Sequence, residues 1–551
     1  MKKTILVIIS IISLTQYING QNINIEKSDG KIEQKKPRNQ IYRHTGVANF
    51  DSTYLFLTSG PLMAYIFGVG YSVEKYDSNL NLVTREKISF NKEDDFKFLN
   101  ELIYFQSKLV VFSSSYDKHN NKNYLYIQTM NKSSLKLNDD LKKIAEFEGE
   151  DKNVRYGIKT KYVISEDSTK LLIYLTFFDK KNIIVQSSSK EKTFNKNSLY
   201  LLAFDKHLNL LWKKKANSAI NSGTYVYENF FVDNKANAYI TAKKYINTEA
   251  AQKRILYESS KTFVDKYFTF VEPSNYKQSI LVFRNNGNET KEIVVNLKNL
   301  FAKNISIKNH DDNILCAGIY SELNSISAKG IFTCQLNLGN GRTENERVLP
   351  FNKIDCTNNI DHNELKGFKG ATKENEWDPF NYSLSKIERL SNGDYFVIAE
   401  QQLFGQLDSG GGIREQYYSI YNYGSLYVIR VKENGEIINY GKVKKTQFGL
   451  DNPFHSYSYL CEANKVYVLY NEMVPKKGLV QVAKMQNTSL ARVNENGQVV
   501  KKLVSTFADY NNKTLFMHTK GILPFANKKG FVYPLQSMNM KYNSIEKIDI
   551  R

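Results

Sequence analysis

The residues best able to do chemistry in this 551-residue chain are scattered rather than gathered into a known catalytic spacing. Glu101, Glu228 and Glu388 fall in strand-like segments, and two of them facing each other about 5–10 Å apart would make the carboxylate pair of glycosidic cleavage. Nothing in their spacing separates them from solvated strand residues. No Ser–His–Asp order stands out. Gly410-Gly411-Gly412 is not followed by Lys and Ser or Thr, as a phosphate-binding loop requires, and reads as a loop tip. The run Asn309-His310-Asp311-Asp312-Asn313 offers oxygen ligands for Ca²⁺, but it sits where a polar turn is expected. No catalytic residue, metal site or cofactor is assigned on these grounds.

A better signal is for binding. Polar and aromatic residues stand at the starts of expected strands: Arg43, His44, Tyr156, Tyr225, Tyr227, Tyr382, His455, Tyr457 and His518. Two of these approaches are near copies, Asp378-Pro379-Phe380-Asn381 and Asn452-Pro453-Phe454-His455. Aromatic and hydroxyl groups around a shallow funnel suit a glycan or a peptide, through stacking and hydrogen bonds. The plainer alternative is that these residues crowd a central axis and bind channel water.

The elements that must position them recur. Eight times a polar turn runs into a short apolar and aromatic strand, starting at Tyr54, Leu109, Leu171, Ala238, Ile314, Tyr395, Val466 and Phe531. Between these lie strand–turn–strand segments such as 427–440 and 491–500. Four carry Asn-Gly, at 286–287, 340–341, 434–435 and 496–497, the strongest short-range hairpin signal. Each unit therefore reads as two hairpins, or four antiparallel strands a to d. Such units repeated around a ring make a β-propeller. The expectation is an all-β fold, one propeller over 41–551 with eight blades, seven being the alternative. The 37 Tyr and 32 Phe, with only 9 Pro, suit half-buried sheet surfaces.

The segment VDNKANAYIT (232–241) resembles the D-x-x-G-N-x-Y-[VI]-T core of exported bacterial β-propeller repeats of the SBBP type, with Ala236 where those repeats have Gly. The hairpins VIRVKENGEI (428–437) and ARVNENGQV (491–499) are similar to the c–d hairpins of the same group. The resemblance implies a propeller and export, and it implies no activity. The signatures of WD40, kelch and Asp-box propellers are absent.

The final strand SIEKIDI (544–550) leaves the last unit one strand short. Within the N-terminal segment 21–40, NINIEK (22–27) is proposed to supply the ring-closing outer strand; a disordered tail is the alternative. Pro534 inside the eighth b-strand is at odds with an ordinary sheet position. Insertions concentrate in the b–c and d–a connections, chiefly 243–279, 350–381 and 400–425, with shorter ones at 178–198 and 472–487. In a propeller these connections share one face, and loops gathered on one face commonly mark the binding face.

Lys2 and Lys3, an apolar run over 5–14 and Gly20 follow the order of a secretory signal peptide, so residues 1–20 are expected to be removed. No later run approaches the length of a membrane span, and the mature chain is expected to be exported, to periplasm, surface or medium. The formal charge of +20 would suit a polyanion. The excess is mostly lysine spread along the chain, and no specific nucleic-acid partner is expected. Of four cysteines, Cys316 and Cys334 fall opposite each other across a turn, where a disulfide or two buried thiols would fit. The reading that results is an exported monomer that binds a protein or glycan through its loop-rich face. A carbohydrate-active propeller enzyme and a structural subunit of an envelope assembly are the alternatives.

Overall fold

The computed structural model describes residues 23–30, 33–34, 43–59, 70–90, 97–117, 119–148, 160–177, 198–216, 224–246, 276–310, 313–323, 328–350, 382–385, 387–445, 447–449, 456–474, 484–506, 515–525, 527, 529–537 and 542–551, except 409–416. Their strands form eight antiparallel blades arranged as a β-propeller. Blades 1 to 7 cover 43–87, 98–148, 160–215, 225–294, 300–350, 382–449 and 457–506. Blade 8 combines 515–550 with the N-terminal strand Ile25–Asp29, which pairs with Tyr542–Ile550 at the blade's outer edge. The helix among the described residues is a single 3₁₀ turn, Thr519–Gly521. Among them no helix is long and apolar enough to cross a membrane.

Burial explains why the second strand of each blade was so visible. In blade 2 the strand Lys108–Asp117 has seven consecutive buried residues, Leu109 to Ser115. It lies mid-blade with a neighbouring blade on each face, so both of its faces must be apolar or small. In blade 1 the outer strand Leu82–Lys87 instead alternates half-buried and exposed, the pattern of a strand with one wet face. Outer strands are unpaired edges, and several carry lysine, such as Lys213 to Lys215 in Leu210–Lys215. Charge of this kind discourages edge-to-edge association.

Turn chemistry sets the hairpins. Asp77, Asp205 and Asp233 each accept backbone N–H groups from the residues two and four positions on, at 2.7–2.9 Å. The residue three positions on is left-handed in each: Leu80 (φ 65), Leu208 (φ 68) and Ala236 (φ 65). Ala236 thus occupies a conformation that glycine adopts without strain, at the place where the repeats that 232–241 resembles have Gly. At the Asn-Gly turn 286–287 both residues are left-handed, Asn286 (φ 57) and Gly287 (φ 77). At 340–341, 434–435 and 496–497 only the glycine is left-handed. In the 434–435 turn the ladder slips one residue, between Arg430 and Val431, so the turn closes with a bulge. A Cβ on Gly435 (φ 85) would meet nothing closer than 3.7 Å, so its replacement costs conformation alone. Gly435→Ala is expected to lower the unfolding free energy by about 1–2 kcal/mol, read by denaturant titration.

Pro534 is accommodated by breaking its neighbour. Its strand, Gly530–Ser537, pairs through Pro534 with Ile545 on the outer side. On the inner side the partner is split into Leu515–Met517 and Leu523–Pro524, which skip Tyr533 and Pro534. Proline has no N–H to give the inner strand. The 3₁₀ turn fills the break, and the His518 N–H donates to the Pro534 carbonyl at 2.9 Å.

Candidate functional site

Strands alternate in direction, so the b–c and d–a connections of all blades lie at one end of the propeller. Inner strands begin at that end. Between the inner strands of blades 6 and 7 there, a cavity of about 320 Å³ is lined by Ser383 and Leu384, by Glu400 and Gln402, and by Ser456, Tyr457, Ser458 and Tyr459. The blade 6 strands Tyr395–Asp408 and Tyr417–Val431 run far past the rest of their sheet, pairing out to Asp408 and Tyr417. Much of the 400–425 insertion is therefore a continued β-ladder. A register shift at Gln401 interrupts that ladder beside the cavity. Gly424 makes room for it, since a Cβ there would lie 2.6 Å from the Gln401 amide oxygen.

Behind the cavity wall is a closed ring of hydrogen bonds. Lys445, wholly buried, donates to Glu400 Oε1 (2.6 Å) and Gln447 Oε1 (2.9 Å). Gln447 Nε2 donates to the carbonyls of Ser456 (3.0 Å) and Asn471 (2.8 Å), while the Ser456 N–H donates back to Gln447 Oε1 (2.6 Å). The Ser456 hydroxyl closes the ring on Glu400 Oε2 at 2.9 Å. Gln402 Nε2 reaches the same oxygen at 3.2 Å. Ser456 is left-handed (φ 73), a conformation that costs a non-glycine residue about 1–2 kcal/mol. Its two bonds into the ring hold it there, and strain of this kind gathers at functional sites. Burial pulls the Lys445 ammonium pKa down, against the raising effect of Glu400. Burial also pushes the Tyr457 hydroxyl up, with Glu400 adding to it. Tyr459 is pushed well up by burial and then by Glu388, to which it donates at 3.0 Å.

The residues singled out from sequence are placed as follows. Tyr457 lines the cavity and is half-buried. Tyr227 is half-buried in the inner strand of blade 4, near Phe230. Tyr225, Tyr382 and His518 are buried, so they offer a ligand no stacking face. The Tyr225 hydroxyl instead meets Glu292 at 2.9 Å, and Tyr382 packs edge-on against Tyr427. Arg43 and His44 open the inner strand of blade 1, paired with Ser59 and Thr58. Tyr156, His455 and the repeated 378–381 and 452–455 approaches lie outside the described residues. Cys316 and Cys334 are direct cross-strand partners, fully buried as free, hydrogen-bonded thiols.

The three candidate glutamates sit on inner strands of three different blades. Glu228 is the extra residue of a bulge and pairs with buried Lys243 at 3.1 Å. Glu101 is held by burial at a pKa of about 7, with Lys161 opposing the shift. Its charge also raises Tyr162, which burial chiefly pushes to about 12. Among the described residues no group of three or more His, Cys, Asp or Glu is placed to hold a metal. Glu400, Lys445 and Gln447 were missed by sequence reasoning. Lysine and glutamine in a segment reading Lys-Val-Lys-Lys-Thr-Gln look like a solvated connection, and no pattern marks them for burial.

No family model and no curated protein matches the chain. Among solved structures, a prolyl oligopeptidase B from Galerina marginata matches at 7% identity and TM-score 0.37, over 91% of this chain and 56% of that one. The chain thus spans little more than half that peptidase's length. The polysaccharide lyase Uly1 matches at 11% identity and TM-score 0.35, over 95% of this chain and 99% of that one. An oligogalacturonate lyase in complex with manganese matches at 8% and 0.33, over 96% of both chains. Likeness at this level concerns the fold and carries nothing about chemistry.

Proposed function

We propose that this chain is an exported β-propeller that binds a glycan or protein ligand at the mouth between blades 6 and 7. The observation that supports this is the strained Ser456 held beside a buried carboxylate, at the edge of a polar cavity on the face bearing the b–c and d–a connections. A buried, fully satisfied polar network is a rigid support for groups that must be pre-positioned. The test is a glycan array together with pull-down from the producing cell. Gln402→Ala and Tyr457→Ala are expected to weaken binding about tenfold, the loss of one good polar or aromatic contact. Gly435→Ala, in a c–d turn at the opposite end, should lower stability and leave affinity unchanged. Equal behaviour of the two sets would reduce the mouth to scaffold.

A second reading, an enzyme acting on carbohydrate, has one observation in its favour. Glu101 titrates near neutrality on an inner strand, as a general acid or base would. Turnover of any bound glycan that is abolished by Glu101→Gln, with binding retained, would support it.

A further inference from the structure

We propose that the mouth of blades 6 and 7 takes a neutral, hydroxyl-rich sugar rather than an anionic one; this rests on the reading of that mouth as the ligand site. The chain as a whole points the other way, since its charge of +20 would attract a polyanion. The cavity has the opposite local character. Among its described lining residues the acidic side chain is Glu400, and none is basic. Lys445, the cation bonded to it, lies behind the carboxylate with its ammonium spent on Glu400 and Gln447, and it is shut off from solvent. A uronate or sulfate entering the cavity would meet no cation among the described lining residues, so it would give up its water without gaining a charge partner.

A sugar hydroxyl fits what remains. Glu400 accepts from Lys445, Ser456 and Gln402, three of the roughly four directions a carboxylate offers. One direction is left for an O–H, and the Gln402 bond, the longest at 3.2 Å, is the one a ligand can displace. Ser383 and Ser458 present hydroxyls that both donate and accept, as a sugar's own hydroxyls do. Tyr457 and Tyr459, with ring centroids 6.2 Å apart, supply an aromatic wall. A cationic peptide is less well served. Lys445 cancels the charge of Glu400 at 2.6 Å, so little net attraction is left for a ligand cation.

The full chain would be titrated with neutral hexasaccharides (β-glucan, mannan and xylan fragments), with hexagalacturonate and with a lysine-rich peptide. Each titration would be run at about 0.05 M and about 0.5 M salt, which brackets strong and weak screening. A neutral hexasaccharide is expected to bind with affinity unchanged within about twofold by salt, and to lose about tenfold in Gln402→Ala and in Ser383→Ala. Both variants keep the buried Lys445–Glu400 pair, and circular dichroism would verify their fold. Failure of every neutral sugar to bind overturns the proposal. So does hexagalacturonate or peptide binding that is stronger and is lost in Gln402→Ala, although that outcome leaves the mouth as the ligand site. If ligands bind but none responds to Gln402→Ala or Ser383→Ala, the site itself is refuted along with its ligand.

Discussion

Replacing Lys445 by Met is expected to cost about 3–5 kcal/mol of unfolding free energy, the usual penalty for leaving one member of a buried ion pair uncompensated. Glu400 is 3% exposed and Lys445 not at all, so solvent cannot take over the cation's role. The loss also strips Gln447 of a donor and removes one side of the ring that fixes Ser456. Denaturant titration would read the loss, with Lys432→Met as the comparison. Lys432 pairs with Glu436 at 2.8 Å, but both side chains are about half exposed, and such pairs are worth about 0–1 kcal/mol. A Lys445→Met variant as stable as Lys432→Met would mean that the ring is not a structural unit. Adding Glu400→Gln to Lys445→Met should recover part of the loss, because the carboxylate no longer needs a counter-charge.

The contrast between those two lysines also shows what could be read from sequence. Both lie in short basic stretches, Lys-Val-Lys-Lys at 442–445 and Arg-Val-Lys at 430–432, and nothing local tells the buried one from the exposed one. Burial of Lys445 is decided by a non-local fact, that Lys445 and Gln447 lie against Glu400. The repeat itself was legible because it is a local signal. Strands such as Leu109 to Ser115 must be apolar or small on both faces, and turns such as Asp233 to Asn237 need particular side chains at fixed offsets. Eight copies of that local grammar give the propeller. Blade mouths are less legible, because burial there changes along a single face of one strand. Tyr225 and Tyr227 are on one strand, yet the first is buried with its hydroxyl on Glu292 while the second keeps part of its surface. Period alone does not say which side is core when both sides of an inner strand meet protein. Pro534 was read as a conflict with a sheet position. The conflict is real, and it falls on the neighbouring inner strand, which breaks in two around it.

Removing residues up to Gly30 should destabilise blade 8 more than any single substitution considered above. The strand Ile25–Asp29 makes five register pairs with Tyr542–Ile550, from Ile25–Ile550 to Asp29–Glu546. Ile23 is 2% exposed in a cluster with Leu469, Met517 and Tyr533, and burial of one such side chain is worth about 1.5–3 kcal/mol. Without the segment, Tyr542–Ile550 becomes an open edge, so the shortened chain is expected both to melt earlier and to associate through that edge. Scanning calorimetry and size-exclusion chromatography would show this. A shortened chain that melts and elutes like the full one would exclude a closing role for the strand. A subtler change isolates the electrostatics. Glu546 is buried with its pKa raised to about 7, burial acting first and Lys27 opposing it from 3.1 Å. A carboxyl held above its unfolded value favours the fold fully below the unfolded pKa, and that favour is lost as pH rises through the folded one. Between about pH 4.5 and about pH 7 the wild-type chain should therefore lose stability. Lys27→Met removes the opposing cation while keeping the strand, which pushes the Glu546 carboxyl further up. The variant should match the wild type near the acid end of that window and fall progressively below it toward pH 8. A difference between the two that is constant with pH would mean that Lys27 contributes by packing and through its pair with Asp29 at 3.0 Å, and not through Glu546.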